Sequence, residues 1–301
     1  MPTLVDVSPR DGLQDESITL SPRDRADFIC RLAEAGFTRI EATSFVNPQK
    51  VPQMSEAEEV IKLISDSCEA QLSALVLNER GLERAADSGI REINYVVVAT
   101  DEFSLKNQGF DTNESLNRWF RVQERSQELE IKATLTIGAA FGCPYSGEVP
   151  LKHLESLLEK IRDSHPFEIC LADTIGAAAP TDVIDKLNLV KDIHPDALTR
   201  LHCHNSRNLG LANAYAATVW GVDVLDSSAA GLGGCPFSVS ATGNIPSEDL
   251  IYMLERMGIY TGIQLKKLLE ISSWVCEKLD RESSGMLQNV GLFPKEENPE
   301  N

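Results

Sequence analysis

Short apolar runs rich in β-branched residues alternate along the chain with amphipathic stretches. The runs at Thr3–Val7, Arg39–Ala42, Gln71–Leu77, Glu92–Val98, Lys132–Ile137, Glu168–Leu171, Leu198–His202 and Asp223–Asp226 predict eight strands. Between them, helical periodicity marks Pro22–Ala35, where Ser21 is placed to cap, Pro22 opens the first turn and Gly36 stops the helix. Val60–Asp66 and Asn113–Glu128 read the same way. Gly89, Gly221 and Gly258 each follow a helical pattern, where a left-handed closing residue is wanted.

Strands this uniformly apolar imply a parallel sheet buried on both faces, and eight strand–helix alternations are the number that closes into a barrel. A (β/α)8 TIM barrel is therefore expected; periodicity alone leaves an open doubly wound sheet as the alternative. Two later helical stretches, Ser247–Arg256 and Gln264–Leu279, suggest additional C-terminal helices over residues 247–281, covering a barrel end or making an oligomer contact. With no internal repeat or low-complexity linker, one catalytic domain over 1–301 is the simplest division, with a polar tail from Glu297 to Asn301 that is expected to fray.

Charge narrows the function. The chain holds 28 basic and 46 acidic residues, a formal net charge of −18. Nucleic acid and anionic membranes are bound chiefly through Lys and Arg, so neither is an expected partner. An anionic substrate would require the few cations to gather at its site. A hydrophobic fraction of 42% and a charged fraction of 25% suit a globular core. No run approaches the roughly 18 apolar residues of a membrane span. The strand pattern begins almost at Met1, so no leader is expected and a cytoplasmic location follows. Seven cysteines, an odd number, read as reduced thiols.

In a barrel, chemistry belongs at the C-terminal ends of the strands. Arg10 and Asp11 follow the first predicted strand, Glu41 ends the second, Asp173 follows the sixth, His202 and His204 end the seventh, and Asp226 to Asn244 follow the eighth. His202-Cys203-His204 is the sharpest local signal, because residues two apart on a strand point the same way and can present two imidazoles to one ion. Alone the pair is equally compatible with two backbone-bonded histidines; Asp11 on another strand tips it towards Mg2+, Mn2+ or Zn2+. Cys203 points to the opposite face and reads as a core thiol. Gly231-Leu-Gly-Gly-Cys235-Pro is a tight glycine turn that could also lower a reactive thiol onto a ligand. Phe141-Gly-Cys143-Pro-Tyr145 reads as a structural turn at the barrel mouth. Arg10 could be a surface ion pair or an oxyanion partner, Glu41 a cap or a support for Arg10, and Asp173 a turn aspartate or a site residue.

Taken together, these residues resemble the 3-hydroxy-3-methylglutaryl-CoA lyases, within the barrel metallolyases that include the isopropylmalate and homocitrate synthases. The resemblance rests on Pro9-Arg-Asp-Gly-Leu-Gln14, Ile40-Glu-Ala-Thr-Ser-Phe-Val46, Val51-Pro-Gln-Met54, Gly142-Cys-Pro-Tyr145, Asp173-Thr-Ile-Gly176 and His202-Cys-His204. It continues through Ala230-Gly-Leu-Gly-Gly-Cys-Pro236, Gly243-Asn244, Glu248-Asp-Leu250 and Tyr252-Met-Leu254, so that it spans about Val5 to Leu279. It implies that Asp11, His202, His204 and Asn244 hold the metal, Mg2+ or Mn2+, that Arg10 steadies an enolate, and that Cys235 is the loop acid/base. Glu41, Asp173 and Glu248 would support the site, with Gln14, Ser44 and Thr174 binding substrate or supporting it. The implied reaction is a retro-Claisen cleavage of 3-hydroxy-3-methylglutaryl-CoA to acetyl-CoA and acetoacetate, by a homo-oligomer with a dimer as the first expectation.

The chain also departs from the pattern. Asn205-Ser206-Arg207-Asn208 stands where relatives read D-T-x-G after the second histidine, Ser17 where lyases carry Lys, and Ala172 where many carry Gly. These departures leave open another 3-hydroxyacyl-CoA, a condensing synthase, or a metal-binding barrel that acts only as an interaction protein. Arg207 could supply the cationic contact missing at Ser17.

Overall fold

The computed structural model describes residues 1–64, 68–234 and 243–294. Eight parallel strands close into a barrel: β1 (Thr3–Asp6), β2 (Arg39–Ser44), β3 (Gln71–Val76), β4 (Glu92–Val98), β5 (Lys132–Gly138), β6 (Glu168–Asp173), β7 (Leu198–Cys203) and β8 (Val224–Ser227). β1 pairs with β2 through Val5–Arg39 and with β8 through Thr3–Val224, which rules out the open sheet.

The helices α1 (Pro22–Ala35), α2 (Ala57–Leu63), α3 (Glu79–Asp87), α4 (Asp101–Gln108), α5 (Thr112–Glu128), α6 (Leu151–Lys160), α7 (Pro180–Ile193) and α8 (Gly210–Trp220) follow successive strands. Their starts and stops obey the local chemistry. Ser21 Oγ accepts from Asp24 N at 3.1 Å, and Gly36 closes α1 at φ +114°, where any side chain would be strained. The expected helix at Val60–Asp66 begins earlier, at Ala57; Asp66 lies outside the described residues. Apolar faces such as Phe28, Ile29 and Leu32 of α1 and Trp119 of α5 pack onto the outside of the barrel and are fully buried.

Among the described residues three α-helices follow β8, where the barrel itself needs one, so the expected additional C-terminal helices are present. α9 (Ser247–Arg256) packs on α8, and α10 (Leu265–Lys278) packs on α1 and α9, so the two fill the wall after β8. A barrel needs a helix after its last strand, and α9 occupies that place. A short α11 (Met286–Val290) lies against both, outside the stretches expected to be helical. Among the described residues no helix is long and apolar enough to cross a membrane.

The bore differs from the usual layers of branched apolar residues. Arg39 on β2 bonds Glu168 on β6 at 3.0 Å and also pairs with Glu92 on β4. Arg200 on β7 bonds Glu168 at 3.0 Å and Asp226 on β8 at 2.6 Å. Higher up, Thr136 Oγ1 donates to Asn94 Oδ1 at 2.7 Å, and Asn94 Nδ2 donates to Glu41 Oε1 at 3.1 Å. The bore thus holds an ionic layer with a hydrogen-bonded polar layer above it.

Candidate metal centre and active site

The first strand hands the chain to a five-residue π-type turn, Ser8–Gly12, in which the Asp11 amide and its two neighbours all converge on the Val7 carbonyl. Such turns are uncommon and cluster at functional sites, because the widened backbone re-aims side chains. Here the turn sets Arg10 and Asp11 over the mouth of the bore. Asp6 pins it from below: its carboxylate accepts from Ser8 N at 2.9 Å, Ala229 N at 3.1 Å and Ser247 Oγ at 2.7 Å. One buried carboxylate thus ties the first turn to the last.

His202 sits on β7 and His204 one residue beyond its end. Their Nε2 atoms face each other at 3.1 Å, and Asp11 Oδ2 is 3.9 Å from His202 Nε2. Asn244 arrives from the far side. The returning segment pairs Asn205 N with Gly243 O at 3.0 Å and Ile245 N with Cys203 O at 3.2 Å, placing Asn244 opposite His204. Its Nδ2 donates to Asp11 Oδ2 at 2.8 Å. Among the described residues, Asp11, His202 and His204 are the group of ligand-type side chains whose donor atoms all lie within 4.8 Å of one another.

The donor set fits a divalent cation. Asn244 Oδ1 and His204 Nδ1 are buried without hydrogen-bond partners, a costly arrangement unless a ligand or ion is served. Burial, with His202 beside it, pushes His204 down to about 4, so its imidazole is neutral and free to ligate. Burial works against the Asp11 carboxylate, but Arg10 and the two imidazoles outweigh it and hold it well below the usual range. Arg10, Arg39 and Arg200 face five carboxylates in and above the bore: Asp11, Glu41, Glu92, Glu168 and Asp226. Cys203 is turned away into the core, and burial pushes its thiol well up, so this thiol is no ligand for the centre.

Arg10 lies beside the centre. Its Nη1 donates to Asp11 Oδ1 at 2.7 Å, and Nε donates to Glu41 Oε2 at 2.7 Å. Glu41 was expected at a strand end; β2 runs on to Ser44, across a bulge between Glu41 and Thr43, so Glu41 sits inside the strand and is fully buried. That position explains its hold on Arg10. The pair is no surface bridge.

A cavity of about 940 Å3 opens above these groups, lined at its floor by Arg10, Asp11, His202, His204 and Asp226. Its outer wall carries Lys50, Arg80, Arg84 and Arg118, so cations do gather at the site of this acidic chain. Gln14 and Thr174 line it too, and Thr174 Oγ1 also accepts from Ala139 N at 2.9 Å.

Other expected residues take different places. Asp173 spends both oxygens on the loop that follows it, accepting from Ala177 N at 2.8 Å and Ala178 N at 3.0 Å. Glu248, fully buried, accepts from Ala230 N at 3.1 Å and Ser283 Oγ at 3.2 Å, which holds the turn at the foot of the glycine-rich segment. Ser44 is buried with no partner for its hydroxyl and does not line the cavity. Arg207 does not line it either: its guanidinium donates to the Ile175 and Gly176 carbonyls at 2.6 and 3.1 Å. Arg207 thus ties the loop after β7 to the loop after β6. Cys235 lies outside the described residues. Cys143 accepts from Thr100 Oγ1 at 3.0 Å within a small hairpin, the structural turn its sequence suggested.

Sequence reasoning missed Arg200 and Asn94 and noted Asp226 only in passing. A signal existed: positions 200, 202 and 204 place three polar side chains on one face of an otherwise apolar strand.

The HMGL-like family model matches residues 1–275. An (R)-citramalyl-CoA lyase from Chloroflexus aurantiacus is 39% identical over 97% of this chain and 96% of its own. Human mitochondrial hydroxymethylglutaryl-CoA lyase is 39% identical over 93% of this chain and 86% of its own. The solved structure of an HMG-CoA lyase from Acinetobacter baumannii in complex with coenzyme A and 3-methylmalate superposes with a TM-score of 0.92 at 34% identity, covering 98% of this chain and 96% of that one. By its motifs, its barrel and these relatives, the chain belongs to the HMGL-like family, as a carbon–carbon lyase.

Proposed function

We propose that this chain is a divalent-metal-dependent lyase of a 3-hydroxyacyl-CoA, cleaving 3-hydroxy-3-methylglutaryl-CoA to acetyl-CoA and acetoacetate. The observation that carries the reading is the convergence of Asp11, His202, His204 and Asn244 on one point at the floor of a cavity whose outer wall is cationic. Those four residues would hold Mg2+ or Mn2+, which when bound supplies Lewis acidity to the substrate oxygens it meets.

The chain's own residues account for the rest. Of the two acceptors at the floor, His202 has Nε2 committed to the ion and Nδ1 to Asp226, so a carboxylate oxygen of Asp11 takes the proton of the tertiary hydroxyl. The electron pair of the C2–C3 bond passes to the thioester, and Arg10 faces the enolate oxygen so formed. Glu41 and Asp11 fix the guanidinium in advance, and preorganised charge of this kind is worth several kcal/mol. By the family resemblance, Cys235 returns a proton to the enolate carbon. Lys50, Arg80, Arg84 and Arg118 favour the anionic, phosphate-bearing end of a CoA ester.

A second substrate, citramalyl-CoA, is favoured by the 39%-identical relative that covers 97% of the chain. Incubating the Mn2+-loaded protein with each thioester and identifying the released keto acid by mass spectrometry separates the two. Release of acetoacetate from the glutaryl ester at the higher kcat/KM supports the first reading. A higher kcat/KM on the citramalyl ester replaces it with the second.

A further inference from the structure

His202 is gripped from behind. Its Nδ1 lies 3.0 Å from Asp226 Oδ2, while its Nε2 faces His204 and Asp11. Asp226 is itself held: Arg200 Nε donates to its other oxygen, Oδ1, at 2.6 Å. Arg200 Nη1 reaches Glu168 Oε1 at 3.0 Å, and Arg39 Nη1 closes on Glu168 Oε2 at 3.0 Å from across the barrel. All of Asp226, Arg200 and Glu168 are buried. Arg200 and His202 are two residues apart on β7 and so share the inward face; β8 runs alongside in the register Val224–Arg200 and Leu225–Leu201, which brings Asp226 level with His202.

We propose that Asp226, locked by Arg200, is the positioning residue of the metal centre: it accepts the Nδ1 proton of His202 and thereby holds the Nε2 lone pair towards Asp11, His204 and the cavity. A carboxylate can only accept here, so the ring must carry its proton on Nδ1. Arg200 removes the alternative in which Asp226 swings away, because Oδ1 is already committed. A metal-bound histidine needs this outer partner to fix both its tautomer and its ring plane, and losing such a partner typically costs about 10- to 100-fold in metal affinity. The inference rests on the metal reading of the site, but its first test does not.

Long-range 15N–1H spectra of the metal-free parent, with His202 assigned by its loss in His202→Gln, report which nitrogen holds the proton. Nδ1–H is expected; Nε2–H in the parent overturns the proposal whatever the variants do. In Asp226→Asn, Arg200 keeps the amide oxygen, so the NH2 group faces Nδ1 and should drive the proton to Nε2. Calorimetric Mn2+ affinity is then expected to fall about 10- to 100-fold. Asp226→Glu, which restores a carboxylate, should return Nδ1–H and recover part of the affinity. A role confined to holding the barrel would change stability without moving the tautomer, and unchanged Mn2+ binding in a folded Asp226→Asn contradicts the proposal. If the parent binds no Mn2+, the metal reading fails, while the spectra still decide the role of Asp226.

Discussion

Glu41 Oε2 takes two donors from Arg10 at once, Nε at 2.7 Å and Nη2 at 2.6 Å, from a fully buried position inside β2. Side-on recognition of this kind fixes the plane of the guanidinium as well as its position. Glu41→Gln loses the charge, and its single oxygen can serve Arg10 or the Asn94 amide but not both. Steady-state kinetics should show kcat lower by about 10- to 100-fold with KM little changed, as expected for a displaced oxyanion partner. An unchanged kcat would remove Arg10 orientation from the account.

Gly233 stands at φ +116°, and a Cβ there would lie 2.7 Å from Asn244 Nδ2. Gly233→Ala must therefore either strain the backbone, by about 1–3 kcal/mol, or push Asn244 aside. In the proposed ligand set Asn244 is the neutral amide, so its displacement should weaken the centre without removing its charge. Calorimetry should report weaker Mn2+ binding by about 10-fold, with a circular dichroism spectrum like that of the parent. Parent-like Mn2+ affinity would show that Asn244 is not needed at the centre.

The cationic outer wall makes a kinetic prediction. Arg80 is exposed and makes no ion pair or hydrogen bond among the described residues, so Arg80→Ala should leave the fold and the centre intact. Binding that is equal in ground and transition states appears in KM alone. KM for the thioester should rise several-fold, kcat should stay near the parent value, and the difference should shrink as salt is raised. A fall in kcat with no change in KM would contradict the assignment of this wall to the distal end of the substrate.

Glu248 gives the chain a pH signature. Burial raises it from 4.5 to about 7, against the two donors Ala230 and Ser283. The folded state therefore holds a proton that the unfolded state has released between these values. Its stabilising contribution is complete below about 4.5 and is lost as pH rises through about 7, a change on the order of 3 kcal/mol. Glu248→Gln abolishes that dependence. Thermal melts should show the variant gaining on the parent between pH 5 and pH 8 (roughly the window set by the linkage). A gap that stays constant over this range would mean the carboxyl is not protonated in the folded protein.

Much of the fold was legible because it is written in short-range pattern. Strand runs and helix stops such as Gly36, Gly221 and Gly258, all at positive φ, are local. Asp11, His202 and His204 were legible because each lies at the end of a recognisable strand, and the structure brings them together. The ionic layer of the bore was not. Each member is a single polar residue in an apolar run, and its partner lies far along the chain, as with Arg39 and Glu168, 129 residues apart. The bonds of Arg207 were illegible for the same reason: it lies three residues beyond His204, while the carbonyls of Ile175 and Gly176 that it meets belong to the loop after β6, 32 and 31 residues away.

The central claim is metal-dependent cleavage of a carbon–carbon bond in a CoA thioester. It is tested most directly by following acetyl-CoA and acetoacetate released from 3-hydroxy-3-methylglutaryl-CoA by the chelated protein, before and after Mg2+ or Mn2+ is restored. The account predicts that the two products form in equal amounts only with the metal, and that Asp11→Ala forms neither. Cleavage that proceeds at full rate under chelation, or no cleavage of this ester or the citramalyl ester by the metal-loaded protein, would contradict it.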